Sequence, residues 1–249
     1  MPTRDAARAV RRLREAGVLL RFVSNTSKES RSSLIGKMES MQLDVRQDEL
    51  FTSLSAVRDL VVKRSLRPLY LLSSSARSDF PASSPPFNSV VVGLAPTAFE
   101  YNKINEAFRL LAGEEGEGTK GEVPLIVTHK ARVIGDKDGK LSMGPGPFIT
   151  ALEEAAGCQA EIVGKPSEAF FQLALDSLAS HELRNDEIGM IGDDANQDVG
   201  SAVAALDFRR FLVQTGKYRP GDEDKLEHKP EWVGRDFAAA VDAMLAEAA

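Results

Sequence analysis

The feature that most constrains the fold is the alternation of short apolar runs with helical patterns between residues 147 and 249. Gly or polar residues follow the runs, and the intervening segments have apolar residues at helical spacing. Chains in which strands and helices alternate form parallel sheets that are covered by helices on both faces. We therefore expect an α/β fold with a doubly wound, Rossmann-like core sheet, with strands at 160–163, 188–191 and 211–213.

The first 66 residues show the same alternation of helical and strand patterns. Apolar residues recur at helical spacing over residues 6–16, and Gly17 follows as a helix terminator. Residues 18–23 are almost continuously apolar, which predicts a buried strand. Helical patterns at 29–42 and 53–65 follow, so this part also belongs to the expected core.

The pattern changes between residues 67 and 146, where short predicted strands are separated by a Ser/Pro-rich stretch and a Gly/Glu-rich stretch. We interpret this region as a separate, inserted α/β unit. The predicted organisation is a discontinuous core, residues 1–66 and 147–249, with a cap domain at 67–146.

Composition excludes several classes of protein. The net charge of -6 lacks the basic excess of a nucleic-acid-binding protein. No apolar run approaches the roughly 18 residues that a membrane-spanning helix needs. The single cysteine, Cys158, precludes a disulfide framework and favours a reducing compartment. We expect a cytoplasmic protein without nucleic-acid or membrane partners.

Polar residues follow three of the predicted strands. Ser24, Asn25 and Thr26 come after the first strand, where hydroxyl and amide groups suit an anionic oxygen, although they also make ordinary helix caps. Lys165 follows the strand at 160–163, where it could neutralise a phosphate or a carboxylate; a solvated surface lysine is the alternative.

The acidic turn after the strand at 188–191 is the most specific signal in the chain. Asp193 and Asp194 follow Gly192, and Asp198 lies five residues after the first of them. Neighbouring carboxylates repel one another unless a cation neutralises them, and hard carboxylate oxygens suit Mg²⁺. A solvated turn is the alternative. Because ligands bind at the carboxyl ends of strands in such sheets, we expect Ser24, Lys165 and Asp193 to converge.

This order of a hydroxyl turn, a lysine and an acidic turn resembles motifs two, three and four of the haloacid dehalogenase superfamily, in the branch with a large α/β cap. The resemblance covers nearly the whole chain. It implies that Ser24, Asn25 and Thr26 bind the phosphoryl group, that Lys165 and Asp198 are catalytic, and that Asp193 and Asp194 hold Mg²⁺. The reaction that it implies is attack on phosphorus by an aspartate and hydrolysis of the resulting aspartyl-phosphate. The specific phrases are 21–30, 92–96, 129–132, 144–148 and 215–219.

The chain departs from the family pattern at its start. The family begins with a strand that ends in Asp-x-(Asp or Ser)-Gly-Thr, whereas Met1 opens into the helix that should follow this motif. We therefore expect a core sheet that lacks its first, central strand, and a truncated or inactive form. One hypothesis is a shortened form of a Mg²⁺-dependent phosphatase, whose upstream segment carries the motif. The other is a non-catalytic phosphate-, Mg²⁺- or partner-binding regulatory protein.

Further expectations concern the cap and the ligand. The motif-like residues 136–140 are expected to form a hairpin tip rather than a replacement nucleophile. His129 and Arg132 either face the site and select the substrate or lie on a surface hairpin. The resemblance implies a small phosphorylated molecule or a phosphoamino acid as substrate, and it admits a homodimer through the cap.

Overall fold

The computed structural model describes residues 5–135, 140–178 and 183–247. Helices and strands alternate along most of it. The helices are α1 (Ala6–Glu15), α2 (Arg31–Ser40), α3 (Ser53–Lys63), α4 (Ser74–Arg77), α5 (Tyr101–Leu111), α6 (Gly146–Ala156), α7 (Glu168–Asp176), α8 (Ser201–Ala205) and α9 (Phe237–Glu247). The strands are β1 (Phe22–Ser24), β2 (Leu50–Thr52), β3 (Pro68–Leu71), β4 (Ser89–Val92), β5 (Leu125–Val127), β6 (Val133–Gly135), β7 (Leu141–Met143), β8 (Ala160–Ile162), β9 (Gly189–Gly192), β10 (Arg209–Val213) and β11 (Trp232–Gly234).

The chain folds into two compact units. The first unit contains residues 1–22, 35–50 and 165–249, and the second contains residues 23–34 and 51–164. Among the described helices, none is long and apolar enough to cross a membrane.

The first unit is built on three parallel strands in the order β11-β10-β9. Phe211 and Leu212 of the middle strand are fully buried, as expected for a strand with neighbours on both sides. The predicted helix at the start of the chain is confirmed as α1, and Gly17 beyond its end has φ +76°. Ala9 and Leu13 of α1 pack against Val241 of α9.

The strands before the hydroxyl turn and the acidic turn have a single neighbour each within the described residues. β1 pairs with β2, and β9 pairs with β10. Met190 and Ile191 of β9 are only half-buried, which is unusual for apolar residues of an inner strand. In the described residues, the strands of the predicted core sheet therefore belong to separate sheets.

The strand predicted at residues 18–23 is shorter than expected. Only Phe22–Ser24 forms a strand, and Val18 and Leu19 are 38% and 42% exposed. An apolar run becomes a buried strand only where neighbouring strands supply hydrogen bonds, and β2 is the one partner of β1 in the part of the chain that is described.

The second unit is built on four parallel strands in the order β3-β4-β5-β8. Its central strand residues Val90, Val91 and Val92 are completely buried. Helices α5 and α6 contribute Leu110, Leu111, Ile149 and Leu152 to the same core, which accounts for the apolar stripes of these helices.

The two compact units divide the chain at other residues than the predicted domains. Residues 147–162 were assigned to the core, but β8 pairs with β5 in the sheet of the second unit. Its helix α6 packs in the core of that unit, and the change to the first unit comes at Lys165. Residues 51–66, which we also assigned to the core, lie in the second unit as well. Strand partners are chosen by tertiary packing, which explains why alternation along the sequence did not specify the partner of β8.

An antiparallel hairpin of β6 and β7 completes the second unit. Val133 pairs with Met143 and Gly135 pairs with Leu141, and the side chains of these three apolar residues are all exposed. The motif-like residues Asp136–Gly139 lie outside the described residues. Lys140, which follows them, precedes β7.

Candidate functional site

The acidic turn of the first unit begins where β9 ends. Gly192 lets the chain fold back closely, because a Cβ at this position would lie 2.2 Å from the Cβ of Asp198. The backbone amide of Asp194 donates to Asp198 Oδ2 at 3.1 Å, and the amide of Gln197 donates to Asp194 Oδ1 at 3.0 Å. These bonds close a compact turn at the carboxyl end of the strand.

Lys165 and Asp198 form a nearly buried ion pair. Lys165 Nζ donates to Asp198 Oδ1 at 2.6 Å, and the two side chains are 11% and 9% exposed. A charge-assisted hydrogen bond of this length is among the stronger polar contacts in proteins. Asp198 therefore uses one oxygen to hold the lysine and the other to hold the turn, which makes it an anchor for Lys165.

Lys217 is a site residue that the sequence analysis did not single out. Its backbone amide donates to Asp193 Oδ2 at 2.9 Å, and its Nζ pairs with Asp194 Oδ2 at 3.1 Å. Lys217 follows β10, the parallel neighbour of β9. Residues that follow neighbouring parallel strands lie at the same edge of the sheet, so a prediction that β9 and β10 are neighbours would have placed Lys217 near the acidic turn.

Gly216 is required for this contact. It has φ +47°, and a Cβ there would lie 1.9 Å from Asp193 Oδ2. Glycine alone accepts both the left-handed backbone and the approach of the carboxylate without strain.

The fit of these residues to Mg²⁺ depends on Asp193. Both oxygens of Asp194 and of Asp198 have protein partners, whereas Asp193 Oδ1 accepts no hydrogen bond from the described residues. No three His, Cys, Asp or Glu side chains come together as a metal-ligand group in the described part of the chain. Mg²⁺ binds through one or two carboxylates and keeps water or phosphate oxygens as its other ligands, so Asp193 fits as one ligand.

The hydroxyl turn lies in the second unit. The amide of Thr26 donates to Ser24 Oγ at 3.1 Å, and the hydroxyl of Ser24 donates to Thr26 Oγ1 at 3.0 Å. Asn25 lies against Gly164, since a Cβ on Gly164 would be 2.6 Å from Asn25 Oδ1. The turn thus presents two hydroxyls and an amide from half-buried residues.

His129 and Arg132 have different surroundings. His129 is only 8% exposed, and its Nε2 lies 3.0 Å from Ser27 Oγ, so it is not a surface hairpin residue. Arg132 is exposed. Between them, Lys130 pairs with Glu153. Burial raises the pKa of Glu153, but hydrogen bonds from Lys130 and from the Ala160 amide outweigh it and lower the pKa below its ordinary value.

The structure therefore brings together the candidate residues in two groups. Lys165, Asp193, Asp194 and Asp198 share the carboxyl edge of the first unit, and Ser24, Asn25 and Thr26 form one turn in the second. The convergence of the two groups around one phosphate stays a prediction.

Comparison with known families gives two matches. A family model described as "Haloacid dehalogenase-like hydrolase" matches residues 1–80, and one described as "HAD-hydrolase-like" matches residues 162–240. These segments contain the hydroxyl turn and the acidic turn, respectively.

Individual relatives match nearly the whole chain. "Haloacid dehalogenase-like hydrolase domain-containing protein 2" of Bos taurus is 45% identical over 242 residues, which cover 96% of this chain and 88% of that protein. "Phospholysine phosphohistidine inorganic pyrophosphate phosphatase" of Homo sapiens is 35% identical over 243 residues, 96% of this chain and 85% of that protein.

A solved structure has the same fold. The p-nitrophenyl phosphatase from Archaeoglobus fulgidus superposes with a TM-score of 0.84 at 24% identity, over 98% of this chain and 93% of that one. The likeness confirms the predicted α/β fold class.

Proposed function

Since the chain belongs to the haloacid dehalogenase-like hydrolases, we propose that its residues act in phosphate-ester chemistry, with a small phosphorylated molecule or a phosphoamino acid as ligand. The phosphatases among its relatives support this class of ligand. The name of one of them, a phospholysine and phosphohistidine phosphatase, favours phosphoamino acids.

The observation that carries the proposal is the Lys165–Asp198 pair. Asp198 holds the ammonium group 2.6 Å from Oδ1 at a sheet edge, so the lysine has a fixed place instead of moving freely in solvent. A fixed cation stabilises the charge of a phosphoryl group without having to be ordered when the ligand binds.

The remaining roles follow from the surroundings of each residue. Ser24, Asn25 and Thr26 bind phosphoryl oxygens, and Asp193 holds Mg²⁺ through Oδ1. When it is bound, Mg²⁺ neutralises negative charge on the phosphoryl group. Lys217 keeps Asp193 in place through its backbone amide.

The 249 residues contain no Asp-x-(Asp or Ser)-Gly-Thr ahead of Ser24. We propose that these residues, taken by themselves, bind phosphate and do not hydrolyse its esters. A regulatory or partner-binding role is the alternative to a phosphatase that receives its nucleophile from additional sequence.

Phosphate binding and turnover by the purified 249-residue protein test the proposal. We expect inorganic phosphate to bind in a calorimetric titration with Mg²⁺ present. Ser24→Ala is expected to weaken binding by about tenfold or more, since a hydrogen bond to a charged group contributes about 1.5–3 kcal/mol. Hydrolysis of p-nitrophenyl phosphate is expected to stay at the level of the protein-free control.

Two outcomes would contradict these expectations in different ways. Turnover that Asp193→Asn abolishes would show that the 249 residues contain an attacking group. Absence of phosphate binding by the unchanged protein, with Mg²⁺ and at millimolar phosphate, would remove the basis of the proposed function.

We also propose that the hairpin of β6 and β7 forms a homodimer contact. Val133, Leu141 and Met143 are 55%, 74% and 58% exposed, and an isolated two-stranded hairpin is marginally stable in water. A twofold contact would cover this face with its own copy. In sedimentation equilibrium we expect a dimer that Leu141→Asp converts to monomer; a monomer in the unchanged protein would refute the proposal.

A further inference from the structure

The segment that follows the hydroxyl turn is attached to the sheet of the second unit through a buried serine. Ser27 is 2% exposed, and its Oγ lies 3.0 Å from Nε2 of His129, which follows β5. The backbone amide of Leu94, which follows β4, donates to the same Oγ at 3.1 Å. Two neighbouring strands of the sheet therefore hold one side chain, three positions after Ser24.

The hydrogen bonds of His129 indicate which of its two ring nitrogens carries the proton. The backbone amide of Ala131 donates to His129 Nδ1 at 3.3 Å, so Nδ1 acts as an acceptor. A neutral imidazole with an acceptor at Nδ1 carries its proton on Nε2, and this N–H donates to Ser27 Oγ. Ser27 then accepts hydrogen bonds from both His129 and Leu94.

The residues after Ser27 are attached to the same unit. Ser73 Oγ donates to the carbonyl of Lys28 at 2.5 Å, and Asp79 Oδ2 accepts from the amide of Arg31 at 2.7 Å. The amide of Ser30 donates to Ser75 Oγ at 3.0 Å. The hydroxyl turn is thus continuous with a segment that is held by α4 and the residues at its two ends, which follow β3.

We propose that His129 is a positioning residue for the phosphate-binding turn, acting through its hydrogen bond to Ser27. This inference rests on the proposed function for the role of Ser24, Asn25 and Thr26. It makes the end of β5 part of the support of the hydroxyl turn, because the donor that fixes Ser27 lies there. Loss of that donor leaves Ser27 held by the Leu94 amide alone and broadens the range of positions open to the turn.

The test compares two replacements of His129. His129→Leu keeps an apolar body and removes the donor, whereas His129→Gln offers an amide N–H at about the reach of Nε2. We expect His129→Leu to weaken binding of inorganic phosphate about tenfold and His129→Gln to restore most of it. Ser27→Ala should weaken binding at least as much, since it also removes the bond from the Leu94 amide, and the double variant His129→Leu/Ser27→Ala should lose no more than Ser27→Ala alone, because the His129 bond is already absent there.

A control separates positioning from general loss of stability. Ile149→Val lowers the stability of the second unit from its core, where Ile149 is completely buried, without touching the turn. Its phosphate affinity should equal that of the unchanged protein. Equal affinity of His129→Leu and Ile149→Val, or additive losses in the double variant, would overturn the role of His129.

NMR spectroscopy tests the positioning role of His129 in protein without phosphate. Long-range ¹H–¹⁵N spectra should show the Nε2–H form of His129, and His129→Leu should shift the amide signals of Ser24, Asn25 and Thr26 in protein without phosphate. Unshifted signals would refute the positioning role. Failure of the unchanged protein to bind phosphate would refute the proposed function instead, so the two failures are distinguishable.

Discussion

Replacing Lys165 by methionine is expected to lower the free energy of unfolding by about 3–5 kcal/mol, because the change leaves the Asp198 carboxylate buried without its cation. The Asp198 side chain is 9% exposed, so water cannot replace the ammonium group that lies 2.6 Å from Oδ1. Urea unfolding followed through the fluorescence of Trp232 measures the effect within the same unit.

Two further variants decide whether the effect comes from the unpaired charge. Lys165→Met/Asp198→Asn has no buried charge at this place, and it should recover most of the lost stability while the amide still accepts from Asp194. Lys217→Met removes an ion pair whose lysine is 65% exposed, and it should cost less than about 1 kcal/mol. A double variant as unstable as Lys165→Met alone would contradict this explanation.

The sequence predicted these residues but not their pairing. Lys165 and Asp198 were expected to have catalytic roles because of the motifs that contain them. Their contact joins residues 33 positions apart, and such a contact depends on how the first unit packs. Lys217 was missed for a related reason, since nothing in its own neighbours reveals that β10 lies beside β9.

The domain boundary shows where reasoning from the sequence fails. Strand β8 corresponds to the predicted strand at 160–163, and only its register with β5 assigns it to the sheet of the second unit. The existence of the strand was predictable from a local pattern, whereas its partner depends on the packing of side chains far apart in the chain. The same limit applies to residues 18–20, whose apolar side chains predict a strand, although the described residues supply no strand partner for them.

Replacing Gly164, the last residue of the second unit, is expected to cause the second large loss of stability. Gly164→Ala should destabilise the protein by about 3 kcal/mol, the upper part of the range for overpacking a closed site. A Cβ at Gly164 would lie 2.1 Å from the carbonyl oxygen of Thr128 and 2.6 Å from Asn25 Oδ1. The carbonyl belongs to the backbone after β5, so it cannot move away cheaply, and Asn25 belongs to the hydroxyl turn. Urea unfolding followed by circular dichroism measures the loss.

Gly36→Ala is the matched control for this change. Gly36 lies within α2, and a Cβ there meets nothing within 4 Å. Alanine should therefore stabilise the helix by about 0.5–1 kcal/mol, the opposite sign for the same chemical substitution. Gly164→Ala should also weaken phosphate binding more than Ile149→Val does. The added Cβ displaces Asn25 in the hydroxyl turn, and it shifts the backbone at position 164, directly before Lys165. Unchanged stability and affinity in Gly164→Ala would show that the close approach of Thr128, Asn25 and Gly164 does not exist in solution.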